Sequence, residues 1–172
     1  MEEIVNRVAK SPLISIDLAM YLHRGPIEVF DMKDVLFEGL ILKEKDFRGF
    51  IEENDWSIYK GKNVALICSA DAIVPIWAYM LLVTVIKDHA NVVVFGNKEE
   101  VEKELINQAI SACIDENELT DKKVVIKGCG DVQNKEYAYA QITNRLVEKV
   151  SRLMYGEPCS TVPIFKRKKF RD

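Results

Sequence analysis

The chain has 172 residues, of which 48% are hydrophobic and 30% are charged, and its formal net charge is −3. This composition is typical of a folded globular protein and excludes a disordered chain. A general nucleic-acid binder is also excluded, because such proteins carry a strongly basic surface. The length predicts one domain, residues 1–172, with a sizeable core.

The sequence carries no signal for export or membrane insertion. Residues 1–7 are charged and lack the apolar run of a secretory signal peptide. The longest apolar stretch, residues 72–86, contains Pro75 and is shorter than the roughly 20 residues that a membrane-spanning helix needs. We therefore predict a cytoplasmic protein that does not bind membranes. Its four cysteines are then expected to be reduced thiols, metal ligands or redox-active groups, and no Cys-x-x-Cys motif is present.

The first third of the chain predicts a β-hairpin and a helix. Residues 13–17 and 27–30 alternate apolar and polar side chains, as half-buried strands do. The turn-forming residues 23–26 lie between them, so the two strands are expected to pair. Aromatic and aliphatic side chains then recur at helical spacing, which predicts a helix over residues 43–53.

From residue 62 onward, strands and helices alternate. We predict strands at 64–68, 91–95 and 123–127, and helices at about 73–88, 98–113 and 134–154. Asn97 is the predicted N-cap of the second of these helices. Alternation of this kind implies parallel strands joined by right-handed crossovers.

The predicted fold is therefore an α/β domain with one mixed, mostly parallel sheet flanked by helices. Within it, residues 1–60 form a hairpin-plus-helix subregion, residues 62–155 a βαβαβα core and residues 156–172 a C-terminal tail. No internal repeat is predicted.

Two predicted strands run directly into cysteines, Cys68 and Cys129, and each cysteine is followed by an aspartate, Asp71 and Asp131. Ligands and catalytic groups gather beyond the carboxyl ends of parallel strands. If the two strands are neighbours, as in flavodoxin-like order, the thiols and carboxylates could bind Zn²⁺ or iron. Two alternatives stay open: the cysteines are small buried hydrophobic residues, or Cys68 is a nucleophile activated at a helix N-terminus.

The two remaining cysteines differ in their predicted surroundings. Cys113 lies on the apolar face of a predicted helix and is expected in the core. Cys159 follows the predicted helix 134–154, which would run about 30 Å away from the cysteine edge. It could therefore join Cys68 and Cys129 only across a homodimer or through a different packing of this helix.

The segment from Ser69 to Asp71 has a second interpretation. A polar loop between a strand and a helix can present a hydroxyl or bind an anion, although Ser and Asp at such a position more often cap the helix. No Gly-rich nucleotide-binding or hydrolase motif supports a more specific activity.

A short basic segment, residues 166–169 with Arg171, ends the chain. A solvated terminus explains it most simply. Contact with RNA, an anionic partner or a membrane surface is the alternative.

Four segments together resemble a bacterial family known as domain of unknown function 2480. They are residues 36–48, 68–80, 125–129 and 154–163. Members of that family are sometimes encoded beside iron–sulfur cluster assembly genes, so the resemblance implies assembly proteins as partners. The order of elements is also similar to the sulfate-transporter/anti-sigma-antagonist (STAS) domain, in which a Ser or Thr after a strand is phosphorylated. Ser69 is the matching position, although the usual loop sequence is absent.

The leading hypothesis is a cytoplasmic binding protein, not an enzyme, whose thiols handle zinc or iron in a role linked to iron–sulfur metabolism. Its ligands would be Cys68 and Cys129, with Asp71 or Asp131 as auxiliary ligands and Cys159 added across a dimer. The second hypothesis is a metal-free protein-interaction or phospho-switch module that uses the loop 69–71. The third is a thiol enzyme with Cys68 as its nucleophile.

Overall fold

Seven strands and four α-helices form the part of the chain that the computed structural model describes, residues 13–168. The strands are β1 Leu13–Ile16, β2 Ile27–Asp31, β3 Asn63–Ile67, β4 Val92–Phe95, β5 Lys123–Ile126, β6 Arg152–Glu157 and β7 Ser160–Lys166. The helices are α1 Glu44–Glu53, α2 Ile76–Ile86, α3 Lys98–Glu116 and α4 Lys135–Leu146. The α/β class with mostly parallel strands and flanking helices is thus confirmed.

The chain divides into two compact units, and each contains its own sheet. Unit 1 comprises residues 1–23 and 106–172, and unit 2 comprises residues 24–105. The sheet of unit 1 has the order β1-β5-β6-β7, in which only β7 is antiparallel. The sheet of unit 2 has the order β2-β3-β4 and is entirely parallel. The predicted single sheet is therefore replaced by two.

Two predicted strand pairings differ from those observed. Both N-terminal strands are present, but β1 pairs with β5 and β2 pairs with β3, so they do not form the predicted hairpin with each other. β3 and β5, whose adjacency the metal hypothesis requires, lie in different sheets. Parallel partners distant in the sequence bury both faces of β3 and of most of β5, which a local hairpin would not achieve.

The two units repeat one architecture. A shift of 60 residues matches β3, α2 and β4 with β5, α4 and β6, without a gap from Asn63 and Lys123 to Gly96 and Gly156. Corresponding positions of α2 and α4 are fully buried: Ala78, Leu82 and Ile86 in unit 2, and Ala138, Ile142 and Leu146 in unit 1.

Backbone details repeat as well. Asn91 N–H donates to the carbonyl of Lys62 at 2.8 Å, and Ser151 N–H donates to that of Lys122 at the same distance. The prediction that the chain has no internal repeat was wrong. The repeat is hard to see in the sequence because it preserves burial and backbone geometry far better than residue identity.

The predicted helix 134–154 was also wrong in its second half. α4 ends at Leu146, and the chain turns at residues 147–151 before β6 runs parallel to β5. The apolar residues Val150 and Leu153 continue the helical spacing of α4. They are apolar because both are fully buried, Val150 in the turn and Leu153 in β6. The predicted tail likewise contains β7, which covers the outer edge of β6.

Two local predictions are confirmed. Asn97 caps α3: its side chain accepts the N–H of Glu99 at 2.7 Å, while the Glu100 carboxylate accepts the N–H of Asn97 at 2.9 Å. Cys113 is fully buried in the core of unit 1.

Candidate functional site

The carboxyl edge of the unit 1 sheet brings together a thiol and carboxylates. Asp17 follows β1, and its side chain accepts the N–H of Ala19 at the start of a short 3-10 helix. Cys129 follows β5, and Glu157 ends β6. The Cys129 thiol donates to Glu157 Oε1 at 3.1 Å. Neighbouring parallel strands thus deliver these groups to one edge, as the general rule for parallel sheets predicts.

The surroundings of Cys129 favour its protonated form. The hydrogen bond to Glu157 and the negative charge of that carboxylate raise the pKa of the Cys129 thiol, and the charge of Asp17 adds to the effect. A thiol held in this way is a weak nucleophile at neutral pH. Cys129 therefore does not have the environment of an activated catalytic cysteine.

Two glycines let the Cys129 loop pack closely. A Cβ at Gly128 would lie 2.6 Å from Cζ of Tyr155, and a Cβ at Gly130 would lie 2.8 Å from Oδ1 of Asp17. Neither position has room for a side chain unless its neighbour moves. The sequence Gly-Cys-Gly is thus explained by close packing on both sides of the thiol.

Cys159 lies in the two-residue turn between Glu157 and Ser160, which pair across the β6–β7 hairpin. Its side chain is exposed. We had predicted that Cys159 lies far from Cys129, and this was wrong because α4 is shorter than predicted and β6 returns the chain to the carboxyl edge. Cys129 and Cys159 therefore share one edge of the unit 1 sheet.

Cys68 belongs to unit 2 and is half-buried, with its thiol 3.6 Å from the carbonyl of Ala70. The strand adjacency that was expected to join it to Cys129 does not exist. In the repeat Cys68 corresponds to Gly128, whereas Cys129 corresponds to Ser69. The two cysteines therefore do not occupy equivalent positions.

Ser69 makes the most elaborate polar contact of unit 2. Its hydroxyl donates to Asp31 Oδ2 at 2.5 Å, and its N–H donates to Asp31 Oδ1 at 3.0 Å. Burial alone would raise the pKa of Asp31, but the hydrogen bonds from Ser69 and from the Lys33 N–H outweigh it and lower the pKa to about 2. The sequence favoured Ser69 as a cap of α2. Ser69 does not cap this helix, because the helix begins at Ile76 after Pro75.

Asp71 and Asp131 occupy the same repeat position, and both are exposed. Among residues 13–168, no group of three or more His, Cys, Asp or Glu side chains lies close enough together to hold a metal ion. Of the predicted ligands, Cys129, Asp131 and Cys159 lie at the carboxyl edge of the unit 1 sheet, and Cys68 and Asp71 belong to unit 2.

Sequence reasoning missed Asp17, Asp31 and Glu157, and it did not recognise two aromatic pairs that the repeat shares. Tyr79 packs edge-on against Phe95 at 5.2 Å, and Tyr139 packs in the same way against Tyr155 at 5.3 Å. The Ala-Tyr pairs at 78–79 and 138–139, together with Gly96 and Gly156, are the sequence signal that could have revealed the repeat and hence these positions.

Unit 2 also carries an apolar groove. The groove has a volume of about 520 Å³ and is lined by Leu66, Ile76, Tyr79, Met80, Val83, Thr84 and Phe95. Three of its side chains are strongly exposed: Ile76 (73%), Met80 (65%) and Phe95 (68%). Nearby Ile73, two residues beyond the loop 69–71, is 91% exposed. At the positions of α4 that match Ile76 and Met80, unit 1 has Glu136 and Ala140.

Within residues 13–168, no helix has both the length and the apolar character needed to cross a membrane. A family model described as "Protein of unknown function (DUF2480)" matches residues 2–167. No curated protein and no solved structure matches the chain. Because the family match spans nearly the whole chain, the resemblance inferred from the sequence is confirmed, and the chain belongs to the DUF2480 family of proteins of unknown function.

Proposed function

We propose that this protein is a homodimeric interaction module and that a second copy of the chain covers the apolar groove of unit 2. The observation that carries the proposal is the difference between the two repeats. In unit 1, β7 pairs antiparallel with β6. Among the described residues of unit 2, no strand pairs with the corresponding edge of β4. The repeat itself thus indicates what fits beside β4, namely an antiparallel strand.

The free edge of β4 is suited to strand addition. Gly96 N–H donates to the carbonyl of Leu66 in β3, so by the alternation of a parallel ladder the N–H groups of Val93 and Phe95 point away from β3. β4 contains no charged residue and no proline. The edge strand β7, by contrast, contains Pro163 and Lys166, which are typical protective residues of exposed edges.

The apolar surface beside β4 is large enough to contribute to a stable interface. Ile73, Ile76, Met80 and Phe95 together expose on the order of 600 Å², counting up to about 200 Å² for each large side chain. A stable interface buries roughly 800 Å² on each partner. In addition, α2 is apolar on all sides, which is typical of a helix that is covered on all sides.

A second copy meets these requirements at once. Two β4 strands related by a two-fold axis pair antiparallel, and each groove then faces the same apolar side chains of the other copy. No charged side chain lines the groove, so self-pairing brings no like charges together. The loop 69–71 would border this interface, since Leu66 and Ile73 lie on either side of it.

The test replaces groove residues by those that unit 1 has at the same positions. The variant Ile76→Glu/Met80→Ala should be a folded monomer, whereas the wild-type chain should be a dimer by light scattering coupled to size exclusion. The matched control Ile58→Glu/Val162→Ala changes two apolar residues of similar exposure (54% and 59%) outside the groove and should stay dimeric. A wild-type chain that is monomeric at about 100 μM, or a dimer that persists in the groove variant, would overturn the proposal.

A second candidate function is thiol-based metal handling at the carboxyl edge of unit 1. It is supported by the Cys129–Glu157 contact and by the position of Cys159 beside Glu157. A thiolate and a carboxylate suit Zn²⁺ or iron. Metal binding would require the β6–β7 turn to move Cys159 toward Cys129. Among the described residues, no three potential ligands lie close enough together to hold a metal ion. Asp17 or Asp131 could complete such a site, and a link to iron–sulfur assembly proteins would belong to this candidate.

Metal analysis with paired cysteine variants tests this candidate. After anaerobic loading with Zn²⁺ or Fe²⁺, the wild type should retain about one equivalent, and Cys129→Ser/Cys159→Ser should lose it. Cys68→Ser, in unit 2, should retain it. Loss of metal in Cys68→Ser would instead favour the ligand set first inferred from the sequence. No retained metal in the wild type would contradict both.

A further inference from the structure

A row of positive charges crosses the unit 1 sheet at the end opposite to Cys129. Lys123 in β5 is directly opposite Arg152 in β6, and Arg152 is directly opposite Lys166 in β7. Residues in such register project from the same face of a sheet, and like charges placed in this way destabilise it. None of the three side chains has an ion-pair partner among residues 13–168. Because three like charges in register lower the stability of the sheet, we expect the row to have a functional role that compensates for this loss.

The row borders a depression that is rich in cationic groups. The depression has a volume of about 1140 Å³ and is lined by Asp121, Lys123, Ser151, Arg152, Lys166, Arg167 and Lys168. Its one carboxylate is already neutralised, because Arg167 Nη1 donates to Asp121 Oδ1 at 2.6 Å. Arg167 is held further by donating to the carbonyl of Glu148 at 2.7 Å. Within residues 13–168, the charges of Lys123, Arg152, Lys166 and Lys168 remain without an anion.

The scaffold does not require this row. At the positions equivalent to Lys123 and Arg152, unit 2 has Asn63 and Val92, and it has no counterpart of β7. Asn63 is fully buried, and its amide donates to the carbonyl of Gly25 at 2.8 Å. The same fold is therefore built without any of the three cations, which separates the row from the structural needs of the sheet.

We propose that this depression binds a small polyphosphorylated ligand, such as a nucleoside triphosphate or inorganic tripolyphosphate. Neighbouring strands are about 4.8 Å apart, so the three cations span about 10 Å and can contact successive phosphates. The planar Arg guanidinium in the middle of the row can bind phosphate oxygens in a bidentate manner. A long nucleic acid fits less well, because the chain as a whole carries a net charge of −3 and would repel the backbone beyond the row.

Calorimetric titration with two probes, ATP and inorganic tripolyphosphate, tests the proposal. The wild-type chain should bind at least one of the probes, and about fourfold higher salt should weaken the binding, as expected for charge pairing. Binding of ATP alone would mean that the base contributes, and equal binding would mean that the phosphates suffice. The variant Lys123→Asn/Arg152→Val installs the residues of unit 2 and should bind about tenfold or more weakly.

The control Lys60→Asn/Lys87→Val removes two exposed lysines of unit 2 and changes the net charge equally. It should bind like the wild type, and thermal melting should show that both variants are folded. Equal affinity of the wild type and the Lys123→Asn/Arg152→Val variant would overturn the proposal. So would an absence of binding to both probes, or tight binding of single-stranded RNA without binding of either probe.

Discussion

At the scale of single residues, the Asp31–Ser69 contact ties the end of β2 to the loop that follows β3 in unit 2. Removing the Ser69 hydroxyl leaves Asp31, whose side chain is 12% exposed, without its shortest hydrogen bond. We expect Ser69→Ala to lower the free energy of unfolding at pH 7 by about 1 kcal/mol, as is typical for a hydrogen bond to a partly solvated charged group. Urea unfolding followed by circular dichroism measures this difference.

The same contact has a defined pH dependence. The pKa of Asp31 is about 2 in the folded chain and 3.8 ordinarily, so its contribution to stability is complete above pH 3.8 and is lost as the pH falls towards 2. The difference between the wild type and Asp31→Asn should therefore shrink between pH 4 and pH 2. A difference that is constant over this range would show that the carboxylate is not stabilised by folding.

The Cys129–Glu157 contact predicts thiol reactivity. Replacing the carboxylate in Glu157→Gln removes the negative charge and the strong acceptor that raise the pKa of the thiol, so the pKa should fall and alkylation of Cys129 by iodoacetamide at pH 8 should accelerate. Mass spectrometry resolves each cysteine, and Cys68 of unit 2 is an internal reference. An unchanged Cys129 rate, or the same acceleration in the exposed control Glu148→Gln, would refute this explanation.

Gly128 and Tyr155 form a compensating pair. Unit 2 has Cys68 and Phe95 at the matching positions, so a side chain is present there and the tyrosine hydroxyl is absent. Gly128→Ala should lower the free energy of unfolding by about 1–3 kcal/mol through overpacking. In a Tyr155→Phe background the loss should be smaller, because the hydroxyl that approaches Gly128 is gone. A double-mutant cycle by urea unfolding that shows simple additivity would exclude the proposed clash.

At the scale of elements, β4 and β6 are equivalent strands with different neighbours. The outward N–H groups of β6 face β7 within the same chain, whereas no strand among the described residues covers those of β4, and the proposed second copy would cover them. In the Ile76→Glu/Met80→Ala variant, hydrogen exchange should accelerate at Val93 and Phe95 and stay slow along β6. Equal exchange at β4 in the wild type and the variant would mean that no strand covers this edge.

The limits of the sequence prediction also lie at this scale. Local signals were sufficient for the N-cap of α3 at Asn97, the buried Cys113 and the existence of both N-terminal strands. They failed at Val150 and Leu153, where burial in a turn and a strand happened to continue a helical spacing. Strand order was not predictable either, since a run such as that of β3 is equally apolar whichever strand lies beside it. The Cys129–Glu157 contact followed from that order and was missed with it.

At the scale of the whole molecule, the two units differ in how far apart their paired strands lie in the sequence. β2 pairs with β3 after one intervening α-helix and two short 3-10 helices, whereas Leu13 of β1 pairs with Lys123 of β5 across all of unit 2. Closing the longer loop costs more chain entropy before any contact forms, and it slows folding. In pulse-labelled refolding, amides of β3 should therefore be protected before those of β1 and β5. Simultaneous protection in both sheets would show that the units fold as one cooperative body.

The position of β1 in the chain also indicates how the two repeats arose. Head-to-tail duplication of a βαβαβ segment would leave the first strand of each copy directly ahead of its own helix. Here the strand that precedes α3 is β4 of unit 2, and unit 1 takes its first strand from before residue 24. Insertion of one gene copy into the other, just behind its first strand, produces this arrangement in a single event. A shortened gene that joins residue 23 to residue 106 would thus encode the strands of unit 1 as one uninterrupted segment.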